Sequence, residues 1–204
     1  MELTQAVDWL NKSFVSYVMN TEFSDDNANV LTELIDQVRG QYGNAVFCPP
    51  RSALHVTLLD WIAPLVDYDG GNKDELFANI QPSYDKAMSE ILASVNPVTV
   101  RFDTVKVSPS TIYVVGHDNG EFQKIREQFL EIIELLPNTK LPPNIIHSSL
   151  ARFTQPIELS KVSAFIAKQQ LDVTQEITNF RLIRGTKEPN VEFEILKRYE
   201  LRNF

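Results

Sequence analysis

The sequence predicts an α+β fold in which helices and strands alternate and each half of the chain holds a helix beside several strands. Three observations lead there. Apolar residues recur at helical spacing in one stripe of the first half (Val30, Leu31, Leu34, Ile35, Val38) and one of the second (Phe122, Ile125, Phe129, Ile132, Ile133, Leu136). Runs rich in β-formers, several alternating with period two, lie on both sides of each stripe. With 204 residues, 43% of them hydrophobic and 23% charged, the chain has the composition of a folded soluble protein and enough length to bury a core without disulfides or metal.

Taken in order, Leu3, Ala6, Val7 and Leu10 sit at helical spacing and predict a short opening helix, followed by a strand over 13–19. A polar break at 21–26 precedes the first long helix, which is expected to stop at Gly40. Residues 45–48 read as a strand cut short by Pro49-Pro50, and 53–61 as its resumption. A loop over 62–72, with Pro64 and Gly70-Gly71, leads to a helix over 74–95 interrupted near Pro82. Residues 98–105 and 111–115 form a hairpin around Ser108-Pro109-Ser110, and a helix over 121–136 ends at Pro137. After a loop with Pro142-Pro143 come a strand over 145–153, a short helix over 159–168, and strands over 173–183 and 191–201 flanking 185–190. No linker or low-complexity tract divides the chain, so 1–204 reads as a single bilobal domain.

Nineteen Lys and Arg against twenty-seven Asp and Glu leave a net charge of −8. Such a surface repels a long nucleic-acid duplex but leaves room for a small phosphorylated molecule or a nucleic-acid end in a local pocket. The lone Cys48 makes no internal disulfide, and no Cys/His pair has zinc-ligand spacing, which fits a reducing compartment. The start of the chain lacks the basic and apolar regions of a signal peptide, and no run approaches the ~18 apolar residues of a membrane span. The expectation is a cytoplasmic protein that needs no cofactor and does not engage a membrane.

Only three histidines occur, and two of them share one setting: His55-Val56-Thr57-Leu58 and His147-Ser148-Ser149-Leu150. With 25 Ser and Thr and 20 Leu in the chain, a histidine draws that setting by chance about once in a hundred. Two of three do so about four times in ten thousand. Both tetrapeptides lie in strand-like runs, where residues i and i+2 share a face, so each strand presents an imidazole beside a hydroxyl. If an approximate two-fold relates the halves, both pairs converge on one cleft. Two imidazoles can share the proton taken from an attacking nucleophile and the proton given to a leaving oxygen, while the hydroxyls bind non-bridging phosphate oxygens. The chemistry this suits is phosphodiester hydrolysis.

These residues resemble the 2H phosphoesterase superfamily, which includes the LigT-like RNA 2′,3′-cyclic phosphodiesterases and 2′-5′ RNA ligases, and whose signature is a pair of H-x-[ST]-x motifs on strands of two β-rich lobes. The lead-in Pro49-Pro50-Arg51-Ser52-Ala53-Leu54 and the closing segments 177–182 and 193–201 also look like that family. The resemblance covers roughly 12–204; residues before it, and 61–72, match nothing in it. It implies a two-lobed α+β fold, each lobe an antiparallel sheet with helices outside and a cleft between. It further implies His55 and His147 as acid and base, Thr57 and Ser149 as phosphate ligands, and a 2′,3′-cyclic phosphate or 2′-5′-linked nucleotide or RNA end as substrate.

Beside these stand plainer readings. Strand histidines can merely satisfy backbone groups, and a two-histidine metal site lacks an Asp, Glu or Cys at ligand spacing. The same fold could also bind nucleotides or RNA ends without turning them over. Arg152 lies five residues after His147, an odd offset that faces away in a regular strand and needs a bulge to reach a phosphate. Tyr113 is a candidate for stacking on a base, with core packing as its competitor. His117 is read as a turn residue outside the site, and the two apolar helix stripes as core.

Overall fold

A computed structural model describes residues 2–10, 12–69, 71–142, 144–187 and 190–202. The expected loop residues Gly70, Pro143, Glu188 and Pro189 lie outside the described residues. Two antiparallel sheets form the frame. Strands β1 (Ser13–Glu22), β3 (His55–Ile62), β8 (Asn179–Lys187) and β9 (Glu192–Glu200) make a four-stranded sheet in the order β3-β1-β8-β9. Strands β2 (Val46–Phe47), β4 (Val98–Val107), β5 (Thr111–His117), β6 (Ile146–Phe153) and β7 (Val173–Ile177) make a five-stranded one in the order β2-β6-β5-β4-β7. Helices α2 (Lys73–Leu92) and α3 (Glu121–Ile132) pack on the first sheet, α1 (Asp25–Tyr42) and α4 (Leu159–Ile166) on the second, and β3 lies against β6. One apolar core runs through both sheets and the helices over them. No described helix is long and apolar enough to cross a membrane.

The lobes are not the halves of the chain. Each sheet takes strands and one helix from both halves, so α1 of the first half covers the sheet that holds β4 to β7. The expected strand over 173–183 is two strands in different sheets, because Thr178 passes the chain from the edge position β7 to β8 between β1 and β9.

Local chemistry explains most boundaries. Ser24 caps α1 by accepting from the Asn27 amide, Asp25 and Asp26 fill its first turn, and Leu31, Leu34, Ile35 and Val38 are buried. The stripe's Val30 stays 43% exposed. Gly40 remains helical, and the helix ends instead at Gly43, whose φ of 52° suits a residue without Cβ. Helix α2 runs unbroken past Pro82, which sits on the exposed side where water can hydrate the carbonyl it leaves unpaired. Helix α3 stops at Ile132, four residues short of expectation. Ile133 is already extended, and Pro137 removes a donor and disfavours helix at the residue before it.

The expected opening helix is absent. A two-turn helix is marginal alone, and here its donors find partners elsewhere: the amides of Thr4, Gln5 and Val7 reach the carbonyls of Ile157, Pro109 and Phe153 at 2.7, 2.6 and 2.9 Å. The segment is thereby laid across the end of the five-stranded sheet, with consequences for Arg152.

Candidate active site between the two sheets

Strands β3 and β6 bring the two motifs together. His55, Thr57, His147 and Ser149 line one cavity, joined by Asp60, Arg152, Asn190, Val18, Pro49, Ala53 and Pro64. On each strand the intervening residues, Val56 and Leu58 or Ser148 and Leu150, are buried on the opposite face. The period-two placement expected from the sequence therefore holds for all four.

The two imidazoles are set by the same device. His55 Nδ1 lies 2.7 Å from the carbonyl of Ala53, two residues upstream. A carbonyl only accepts, so Nδ1 carries the proton and Nε2 offers its lone pair to the cavity. His147 makes a backbone hydrogen bond to Ile145, again two residues upstream. Both rings are packed round by protein, which disfavours their charged forms. Burial, with Arg181, His147 and Arg152 adding repulsion, lowers His55 to about 4. His147 is lowered by burial first and then by Arg152 and Arg126.

Beyond the hydroxyls both strands bulge. In β6 the register to β5 slips between Tyr113↔Ser149 and Ile112↔Ala151, leaving Leu150 as the extra residue. In β3 the register to β1 slips between Asn20↔Thr57 and Met19↔Leu59, leaving Leu58 as the extra one. Each bulge reverses the phase, so Arg152 turns into the cavity despite its odd offset. One Arg152 nitrogen donates to Ser149 Oγ at 3.1 Å and another to Thr111 Oγ1, and the guanidinium lies 5.5 Å from the Trp9 ring centroid. With Ser149 accepting from arginine, its own proton is free to point at a ligand.

Three contributors escape a reading of the sequence. Trp9 belongs to the opening segment, whose spacing suggests a helix. Asn190, at φ 60°, directs Nδ2 toward His55 Nε2 at 3.5 Å. Its position depends on Gly185, where a Cβ would stand 2.7 Å from Asn190 Oδ1 and 2.6 Å from Ser16 Oγ. Arg126, inside the apolar stripe read as core, is 2% exposed and donates to the carbonyls of Leu58 and Thr57 at 2.7 and 3.0 Å. It thus holds the β3 bulge from behind, and burial lowers its pKa to about 10. A charge in phase with Phe122 and Phe129 was the available signal.

The remaining candidates fall outside the cavity. The Tyr113 ring meets His147 edge to face at 5.9 Å, neither lining the cavity nor entering the core. His117 ends β5, 3.7 Å from Asp103 and mostly exposed. Among the described residues no group of three or more His, Cys, Asp or Glu is placed to hold a metal ion.

This arrangement of two antiparallel sheets with helices over them is the fold of LigT. Solved structures match it over nearly their whole length. TT0787 of Thermus thermophilus has a TM-score of 0.65 at 16% identity, covering 92% of this chain and 98% of that one. A phosphoesterase crystal structure has 0.61 at 15%, covering 92% and 99%. E. coli LigT complexed with NADP+ has 0.59 at 14%, covering 94% and 100%, and its complex with 3′-AMP 0.59 at 12% with the same coverage. No family model and no curated protein matches the chain.

Proposed function

We propose that the protein is a metal-independent phosphodiesterase acting on 2′,3′-cyclic phosphates or on 2′-5′-linked nucleotides or RNA ends. The observation that supports this best is the pair of histidine–hydroxyl units on facing strands, each ring tied to the backbone two residues upstream and turned to one cavity. The nucleotide complexes of E. coli LigT, a protein of the same fold, agree with a nucleotide-sized ligand.

In hydrolysis of a 2′,3′-cyclic phosphate, His55 Nε2 takes a proton from water as the water oxygen attacks phosphorus. The bond from phosphorus to one ribose oxygen breaks, and that oxygen receives a proton from His147. His55 suits the base because its lone pair is fixed toward the cavity and burial keeps it neutral. His147 suits the acid: it keeps more contact with solvent, and the charge of a bound phosphodiester offsets the repulsion from Arg152 and Arg126. Thr57, Ser149 and Arg152 hold the non-bridging oxygens, with Arg152 supplying a fixed positive charge.

Turnover measured with EDTA present tests the reading. His55→Ala and His147→Ala, folded by circular dichroism, are each expected to lose about 10²- to 10⁴-fold in kcat. Near-wild-type rates in either variant contradict the mechanism, and tight nucleotide binding without product by the wild type makes the protein a binding module.

A further inference from the structure

The two bulges make the site strands more alike than their shared motif does. Five residues after each histidine, on the far side of the extra leucine, a side chain turns into the cavity: Arg152 on β6 and Asp60 on β3. Arg152 is engaged by Ser149, Thr111 and Trp9. Asp60 is not matched in this way. Asp60 lines the cavity half-buried, and its carboxyl meets no hydrogen-bond donor or cation among the described residues. A carboxylate that is partly shielded from water and has no donor is less stable than a paired one. The cost is relieved when a ligand supplies the donors.

The cavity's own layout limits what that ligand part is. A phosphate belongs at the end with the histidines, hydroxyls and Arg152, because Asp60 repels it. Thr57 pairs with Asn20 and Asp60 with Val18, so across the bulge the two lie only two positions apart along β1, roughly 7 Å at about 3.3 Å per residue. In a 2′,3′-cyclic nucleotide the ribose is fused to the phosphate and stays at its end, whereas the base extends away from it. Val18, which pairs with Asp60 across β1 and β3, and Pro64 supply apolar surface beside the carboxyl, as a base face requires.

We propose that Asp60 is a specificity-determining residue that reads the substrate's base and selects guanine. A carboxylate presents two acceptors side by side, and guanine presents two parallel donors, N1–H and the exocyclic N2–H. Adenine and cytosine set an acceptor beside their amino group, and uracil flanks its single N–H with two carbonyls, so each of these places a lone pair against a carboxylate oxygen. Burial raises Asp60 only to about 6, so it is ionised at neutral pH and accepts both bonds. This selectivity rests on the phosphodiesterase reading for its substrate, but not for its test.

Metal-free kcat/KM on the 2′,3′-cyclic phosphates of guanosine, adenosine, cytidine and uridine, and calorimetric affinities for 3′-GMP and 3′-AMP, are measured for the wild type, Asp60→Asn and Asp60→Ser. The wild type is expected to favour guanine about 10- to 100-fold in both measurements, and both variants to lose that ratio while keeping the native fold. Equal affinity of the wild type for the two monophosphates overturns the proposal. So does a uniform loss for all bases in the variants, which would put the carboxylate on the ribose. Guanine-selective binding without turnover of any cyclic nucleotide upholds Asp60 and overturns the phosphodiesterase reading, whereas turnover without base preference does the reverse.

Discussion

Thr57 and Ser149 owe their direction to strand alternation alone, and this is why they were legible beside their histidines. If each donates one hydrogen bond to a charge that grows in the transition state, Thr57→Ala and Ser149→Ala should each lower kcat about 10²- to 10³-fold with little change in KM. A KM effect alone would mean that they hold the ground state equally well. The burial that tunes His55 and Asp60 should also appear in stability. The unfolded chain protonates His55 near 6.5 and the folded protein only near 4, so the unfolded state binds more protons between those values and stability falls as pH drops through them. Asp60 runs the other way: the folded protein takes its proton near 6 and the unfolded chain near 3.8, so stability rises over nearly the same window. Each contribution is on the order of 3 kcal/mol, at 1.36 kcal/mol per pH unit, and in the wild type they offset. The melting temperature of Asp60→Asn should therefore fall more steeply than the wild type's from pH 6.5 to 4, and that of His55→Ala less steeply. Parallel curves for all three proteins would refute the burial of both groups.

Bulges decide what the strands present, and they are only partly visible in the sequence. The odd offset of Arg152 shows that a bulge is needed on β6 if arginine is to reach the site. On β3 the matching offset of Asp60 gives no such signal, because an aspartate five residues from a histidine has no meaning until the phase is known to slip. Strand β3 is an edge strand, and Arg126 on α3 donates to the carbonyls of Thr57 and Leu58 at its bulge. Arg126→Met should then cost about 3 kcal/mol in denaturant unfolding, since two buried acceptors lose their donor. It should also reduce kcat as Thr57 and Asp60 drift. Arg126→Lys should recover part of the stability but less of the rate, having one nitrogen where two directions are needed. Equal recovery of both would reduce Arg126 to a buried charge. Helix ends depart from the pattern wherever one residue outweighs it: Gly43 rather than Gly40, Ile133 ahead of Pro137, and Pro82 accommodated on the solvent side.

Across the whole molecule, the α+β class follows from the sequence pattern and the two antiparallel sheets with a cleft from the resemblance that the two motifs carry, while the weaving of the chain between the lobes follows from neither. Residues 173–183 carry one continuous strand pattern, and nothing in their composition marks Thr178 as the crossing from one sheet to the other. The opening segment fails as a helix for a similar reason, since its partners at Pro109, Phe153 and Ile157 are remote in sequence. That segment nonetheless delivers Trp9 to Arg152, so a side chain of the cavity built by β3 and β6 is backed by residue 9, while Asn190 joins the cavity's lining. Net charge and local charge differ as well: the chain carries −8 overall, while Arg126, Arg152 and Arg181 make the cavity's surroundings basic. The most direct test of a two-histidine phosphodiesterase is a metal-free assay of the wild type and the His55→Ala/His147→Ala double variant on 2′,3′-cyclic nucleotides and 2′-5′ and 3′-5′ dinucleotides. Product from the first or second class that disappears in the folded double variant is the predicted result; product that persists in it, or that requires added metal, would contradict the account.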